Sequence, residues 1–212
     1  MIEAIPFLLQ GLGTTVIITF GSFLIGAVCA VPVALARLSE IAPLRGVATA
    51  FIEIVRGIPP IAWMLVLFYG LGRYVTLPPL LAACLALGAV STAYLAENYR
   101  AGIQAVAAGQ REGADALGLS NGDTFWRVIA PQGIGVALPP SASYAVGLLK
   151  DSAVASVIGV SDIAFQALTL NQQGNPGLPI FLAAGVVYLI VSVPMAVFAR
   201  KADTFIRTRS AV

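Results

Sequence analysis

Glu53 and Arg56 stand three residues apart and Lys150 and Asp151 stand side by side, each pair bordering a stretch that carries no other charge. Side chains at i and i+3 share a helix face, so Glu53 and Arg56 can form an intrahelical pair. Lys150 and Asp151 offer one cation and one anion. They can receive the opposite charges of a solute, neutralise each other, or pair with Glu53 and Arg56 as structural glue, and the residues alone leave these readings open. Covalent and metal chemistry has no such foothold. The sequence has no histidine, and its two cysteines, Cys29 and Cys84, are isolated, so they make no metal-ligand pattern; both read as small packing residues. The only lysines, Lys150 and Lys201, follow Leu149 and Arg200, so the Gly-Lys-Ser/Thr of a nucleotide-binding P-loop does not occur.

The elements that must hold these charges are apolar. Hydrophobic residues make up 58% of the 212-residue chain and charged residues 10%, with a mean hydropathy of +0.91, whereas a soluble domain averages about 25% charged residues. An all-α integral membrane protein is expected. Uncharged stretches cover residues 4 to 36, 57 to 72, 74 to 96, 128 to 149 and 163 to 199, and a helix needs roughly 20 apolar residues to cross a bilayer. They predict five transmembrane helices in one domain over residues 1–212, the second short unless it extends upstream through Arg56. The opening "MIEAIPFLLQ" has no basic region before its apolar part, so the first helix is expected to remain in the mature chain.

Basic residues near span ends stay on the cytoplasmic side. With the N-terminus outside and the C-terminus cytoplasmic, the cytoplasmic set is Arg37, Arg45, Arg100, Arg111, Arg127, Arg200, Lys201, Arg207 and Arg209, and the outer side keeps only Arg73. The net charge of +2 is then a consequence of topology and gives no reason to invoke nucleic acid.

One polar segment interrupts the spans. "GQREGADALGLSNGDTFWRVIAPQ", residues 109 to 132, carries Arg111, Glu112, Asp115, Asp123 and Arg127, and the charge count places it in the cytoplasm between the third and fourth helices. Locally it reads as two short helices with a tight corner. Helix formers run to Gly118, a residue suited to positive φ at a helix end, and Leu119 folds back as the apolar contact of such a cap. Ser120 followed by Asp123 resembles a capping box for the second helix, with aspartate in place of glutamate, and Pro131 ends or kinks that helix. Phe125, Val128 and Ile129 share one face. Such a hairpin can dock into a groove on another protein or lie on the lipid surface.

The residues also carry a family resemblance. "EGADALG" from Glu112 to Gly118, with "VIAP" nine residues later, resembles the Glu-Ala-Ala loop of the permease subunits of bacterial ATP-binding-cassette importers. Gly113, Val128 and Ala130 depart slightly from that pattern. "AYLAENYRAGIQAVAAGQREGADALGLS", "LLKDSAVASVIGVSDI" and "FIEIVRGIPP" look like the polar amino acid uptake subfamily, a histidine/glutamine permease-like group, and the match runs from about Gly11 to Phe205. Ile58 stands where that subfamily commonly has threonine, and Trp63 near a position often held by glutamine, which points to a changed pocket or substrate.

The resemblance implies a multi-pass protein of the bacterial inner membrane, of type I importer fold, whose loop at about 105–131 is a coupling helix seated in a separate ATPase subunit. Carried over by position, Glu112, Gly113, Ala114, Asp115, Leu117, Gly118, Phe125 and Arg127 are the ATPase-coupling residues. The implied partners are a second permease subunit, identical or related, two cytoplasmic ATPase subunits and an extracytoplasmic substrate-binding protein. ATP and magnesium belong to the ATPase partners, and this chain is expected to be non-catalytic with no cofactor of its own. The implied cargo is an amino acid, whose cationic and anionic groups suit Lys150 and Asp151. Glu53, Arg56, Lys150 and Asp151 are therefore the expected gate or substrate-path residues.

Depth matters for Lys150. Counted from Pro139 it lies roughly 16 Å in, near mid-bilayer, and counted from Gln132 about 27 Å in, near the outer face. Residues 160 to 178 turn polar and read as an external loop, in which Asp162, Gln172, Gln173 and Asn175 are expected to meet the binding protein. Small residues recur every four positions at Ser22, Gly26, Ala30 and Ala34, and again at Gly88, Thr92 and Ala96, permitting close helix approach within one subunit or between two. A secondary transporter or channel working without an ATPase is the alternative, disfavoured because no inverted repeat stands out and five spans divide poorly into halves.

Overall fold

A computed structural model describes residues 4–72 and 74–210, apart from the side chains of 202, 203 and 205–210. Arg73 and the side chains of Arg207 and Arg209, which entered the charge count, lie outside the described residues. In chain order the helices are α1 (Ile5–Leu9), α2 (Leu12–Leu38), α3 (Ala42–Gly57), α4 (Pro60–Leu65), α5 (Pro79–Gln104), α6 (Ala108–Ala116), α7 (Asn121–Asp123), α8 (Ala130–Asp151), α9 (Ile163–Gln172) and α10 (Gly177–Ser210). π-helical turns extend α4 over Val66–Gly70 and join α7 to α8 over Thr124–Ile129, and a 3-10 segment, Ser152–Ile158, follows α8.

The small-residue stripes explain the centre of the bundle. Ser22, Gly26, Ala30 and Ala34 of α2 are buried, as are Gly88, Thr92 and Ala96 of α5. A Cβ on Gly26 would fall 2.3 Å from the Cβ of Ser91, and one on Gly88 would fall 2.8 Å from Cγ2 of Ile25. The stripes thus pack α2 on α5 within this subunit, because in hydrocarbon close backbone approach substitutes for the missing hydrophobic drive between helices. Ser22 donates to the carbonyl of Cys84 at 3.3 Å; Cys84 is buried in this seam, whereas Cys29 is exposed, and neither forms a disulfide. On its other side α5 meets α8 antiparallel, with a Cβ on Gly102 2.4 Å from the carbonyl oxygen of Gly133.

Three helical stretches are long and apolar enough to cross a membrane, Ile5–Leu38, Pro79–Gln104 and Gly177–Lys201. Two bent pairs supply the other crossings: Ala42–Gly57 with Pro60–Gly70 at 102°, and Asn121–Ile158 with Ile163–Gln172 at 45°. Five crossings result when each pair counts as one. The outer faces are apolar, with Phe20, Leu24 and Val28 exposed on α2 and Leu189, Ile190 and Phe198 exposed on α10, as suits a bundle whose surroundings are lipid tails.

Several boundaries differ from the charge-free stretches. The second span, expected at 57–72, is only the later half of a bent pair. Ile58 is extended (φ −108°, ψ 132°) because the proline that follows it disfavours helical backbone, and Pro60 then opens α4. The third span begins at Pro79 and runs through Glu97 and Arg100 to Gln104; these two pair with each other at i, i+3, so their charges do not stop the helix. The fifth stretch is broken, since α9 ends at Gln172 and α10 begins at Gly177. Residues 160–178 are consequently no open loop but contain α9.

Candidate functional site

The polar hairpin folds as its residue types dictate. Gly118 takes φ +71°, the N–H of Leu119 donates to the carbonyl of Ala114 at 3.1 Å, and the N–H of Gly118 donates to that of Asp115 at 3.0 Å. This Schellman closure ends α6 and sets the corner. Across it, Ser120 Oγ accepts from the N–H of Asp123 at 3.1 Å and donates to Asp123 Oδ2 at 2.7 Å, so Ser120 caps the second helix while the aspartate reaches its hydroxyl and not its backbone N–H, half of the expected capping box. Pro131 does not end the second limb: π-helical turns over Thr124–Ile129 lead up to it and the helix runs on into α8. Gln132 Nε2 donates to Gln110 Oε1 at 3.1 Å and to the carbonyl of Val128 at 2.9 Å, tying the first limb to that continuous rod.

Glu112, Gly113, Asp115, Leu117 and Gly118 are exposed along α6 and its corner. Ala114 is buried, so its side chain packs the hairpin together and offers no outward contact, a correction to its place among the coupling contacts. Phe125 is half-buried, and Arg127 is exposed with its Nε 3.0 Å from Asp123 Oδ1. Trp126, which the residue pattern left aside, is exposed and meets Phe125 edge-to-face at 5.1 Å. A large aromatic on a helix outside the apolar spans was the available signal.

Inside the bundle the four expected path charges do not gather into one cluster. Arg56 places its guanidinium 4.8 Å from the ring centroid of Tyr94. The ion pairs among the described residues are Glu97 with Arg100 and Asp123 with Arg127, so the expected pairing of Glu53 with Arg56, and of either with Lys150 or Asp151, is not made. Tyr94 stacks on Tyr144 with centroids 5.0 Å apart; the Tyr144 hydroxyl lies 3.0 Å from Ser91 Oγ, and Asn98 Nδ2 donates to Ser141 Oγ at 3.4 Å. Ser91, Tyr94 and Asn98 on α5, and Ser141, Tyr144 and Asp151 on α8, fall at three- to four-residue multiples. That helical spacing is a polar face legible in the residues but overlooked beside the formal charges. Lys150 and Asp151 are exposed at the end of α8, about 30 Å along the helix from Ala130.

An apolar cavity of about 380 Å³ lies behind the hairpin, lined by Val31 and Leu35 of α2, Phe125 and Trp126, and Ile134 and Leu138 of α8. The hydroxyls on its wall, Tyr99 and Ser141, already donate to the carbonyls of Ala27 and Ala137. It offers hydrocarbon surface and no charged group for a polar solute.

Asp162 is fully buried. Its Oδ1 accepts from the N–H of Phe165 at 2.8 Å and its Oδ2 from the Tyr188 hydroxyl at 3.3 Å, while Thr15 Oγ1 accepts from Ile163 N–H at 3.3 Å. This carboxylate caps α9 and ties it to α10, so it is no surface contact for a soluble partner. Gln172, Gln173 and Asn175 are exposed at the α9 to α10 turn.

A helical bundle with lipid-facing apolar sides, a polar inner face and a protruding capped hairpin defines a multi-pass membrane transport component. The chain belongs to the family of binding-protein-dependent transport system inner membrane components, which matches residues 22–208. It is a multi-pass protein of the bacterial inner membrane. The probable amino-acid ABC transporter permease protein YckA of Bacillus subtilis (strain 168) is 32% identical over 198 residues, covering 93% of this chain and 88% of YckA. The L-cystine transport system permease protein TcyB of the same organism is 32% identical over 207 residues, covering 95% and 88%. A solved amino acid ABC transporter, crystallised with histidines, superposes with a TM-score of 0.89 at 32% identity over 96% of each chain. The inward-facing MetNI methionine ABC transporter shares the fold, with a TM-score of 0.82 at 19% identity over 94% of this chain and 96% of its own.

Proposed function

We propose that this chain is the membrane-spanning permease subunit of an ATP-driven amino acid importer, and that its hairpin is the part gripped by a separate ATPase subunit. The observation that carries this reading is the hairpin itself. A rigid corner presents Glu112, Gly113, Asp115, Leu117 and Gly118 outward, and its second limb is continuous with α8, whose far end bears Lys150 and Asp151. A push on the corner is therefore delivered along one rod to the polar face of the bundle.

Arg37 ends α2, and Arg111 and Arg127 lie on the hairpin, so this end of the bundle is basic and faces the cytoplasm by the same rule that orients other spans. The complete transporter pairs this chain with a second permease, identical or related, and with two ATPase subunits that hold ATP and magnesium. A binding protein docks at the opposite end, where Gln172, Gln173 and Asn175 are exposed. Glu53, Arg56, Lys150 and Asp151 border the route taken by the amino acid.

The test is co-purification with the ATPase subunits of the assembled transporter. Glu112→Ala with Gly118→Leu is expected to abolish ATPase recovery while the permease remains folded and monodisperse in detergent. Undiminished recovery, or uptake in vesicles that needs no ATP and collapses with an uncoupler, contradicts the reading.

A further inference from the structure

The cavity behind the hairpin exists because much of its wall is made of small residues. Ala34 of α2 and Ala130, Gly133 and Ala137 of α8 leave about 380 Å³ unfilled, and Phe125 and Trp126 of the second limb complete the wall. Gly133 and Ala137 also meet Gly102 where α8 crosses α5, so the residues that let those helices touch supply no bulk to fill the hollow. Its two hydroxyls, on Tyr99 and Ser141, already donate to carbonyls. Neither water nor a polar solute finds an open partner on such a wall, and an empty apolar hollow forfeits the dispersion contacts of everything that lines it.

The hollow opens onto the outer face of the bundle. Leu24, Val28, Val31 and Leu35 follow one another at three- to four-residue steps along the exposed side of α2, and the last two line the cavity. Ile134 and Leu138 are exposed opposite them on α8. A second helix is too thick to enter, since a helix about 10 Å across fills roughly 400 Å³ in each turn, more than the whole space. A single hydrocarbon chain is thin enough. At the rim Trp126 is exposed and its indole N–H makes no hydrogen bond among the described residues, while Arg127 beside it is exposed and shared with Asp123. An aromatic with an apolar body and an open donor is the residue type that gathers where acyl chains meet headgroups.

We propose that this cavity holds one acyl chain of a membrane phospholipid, with the phosphate end beside the Trp126 indole, and that the chain braces the second limb of the hairpin against α2. The site needs neither ATP nor solute, so it stands or falls apart from the importer reading.

The experiment uses inside-out membrane vesicles containing the assembled transporter, supplied with graded mole fractions of a phosphatidylglycerol that carries a diazirine in mid-chain. After irradiation, adducts are mapped by peptide mass spectrometry. Adducts at Val31, Leu35, Ile134 and Leu138 are expected to saturate at low mole fraction, whereas those at Leu189 and Phe198 of α10 should rise in proportion to the probe. Leu138→Trp, whose ring fills the hollow from its exposed side, should lower the cavity adducts tenfold or more and leave those on α10 unchanged; Leu189→Trp should leave the cavity adducts unchanged. The brace is read by hydrogen exchange on the purified complex. Restoring phosphatidylglycerol to delipidated wild type should slow exchange of the amides of residues 124–129 tenfold or more, and Leu138→Trp should exchange slowly with or without lipid. Cavity adducts that rise in proportion to the probe, as for bulk lipid, overturn the proposal. So does their complete absence, which is the result if a second copy of the permease covers the opening. Exchange that ignores added lipid in the wild type overturns the brace. Saturation and exchange in the wild type keep the test decisive should Leu138→Trp fail to assemble, and Ile134→Trp serves as a second filling variant.

Discussion

The indole nitrogen of Trp63 donates to the carbonyl oxygen of Val55 at 3.1 Å. In an uninterrupted helix that carbonyl would accept from residue 59, but Pro59 has no N–H. Trp63 supplies the missing donor from the next helix and so clasps the 102° bend between α3 and α4. Arg56 follows Val55, so the clasp also fixes the level of the guanidinium. Trp63→Phe keeps the ring and removes the donor, leaving a buried carbonyl unpaired. A loss of about 1–3 kcal/mol is expected, read as a lower unfolding temperature of the complex in detergent. An unchanged temperature would mean that the bend holds itself.

Gly118 and Gly113 should respond in opposite ways. A Cβ on either meets nothing within 4 Å, but only Gly118 has positive φ, at +71°. Gly118→Ala should cost about 1 kcal/mol and open the corner, lowering hydrolysis stimulated by the loaded binding protein more than it lowers stability. Gly113→Ala replaces a poor helix former with the best one and should gain up to about 1 kcal/mol with stimulation preserved. Thermal unfolding and stimulated hydrolysis, measured on the same preparations, check both.

The two glycine seams should be intolerant. Gly26→Ala and Gly102→Ala place a methyl 2.3 Å from Ser91 Cβ and 2.4 Å from the Gly133 carbonyl oxygen. Separating the helices is expected to cost about 1–3 kcal/mol each. Gly46→Ala, with open space around it, is the control. Expression and monodispersity should fall for the first two variants and not for the third.

Asp162 should behave as a structural group. Asp162→Ala removes the cap of α9 and the partner of Tyr188, with an expected loss of about 2 kcal/mol. Tyr188→Phe removes one hydrogen bond and should cost about 1 kcal/mol. Thermal denaturation measures both. Binding-protein affinity should stay unchanged in Tyr188→Phe; a selective loss of that affinity at full stability would return Asp162 to the docking surface.

Periodicity and punctuation made much of this legible. Gly118, Ser120 and Asp123 predicted the hairpin corner because the relevant forces act within a few residues. The stripe from Ser22 to Ala34 announced a close helix contact, but only the packed bundle identified α5 as its partner. Charge-free stretches misplaced spans wherever a charge was neutralised in place: Glu97 and Arg100 pair within α5, and Asp162 is satisfied by Phe165 and Tyr188. Trp63 reads as a pocket residue in the sequence because its partner is a carbonyl freed by a proline four positions earlier. The polar face of Tyr94 and Tyr144 joins α5 to α8 across fifty residues, a distance over which residue patterns carry no register.

The most direct measurement places a photo-crosslinking side chain at position 117, where Leu117 is 82% exposed at the hairpin corner. In inside-out membrane vesicles containing the assembled transporter, irradiation should join this position to the nucleotide-hydrolysing subunit, and nucleotide should change the yield. Absence of any such adduct in an active complex, or labelling of position 117 by an impermeant reagent from the outer face of intact cells, would contradict the account.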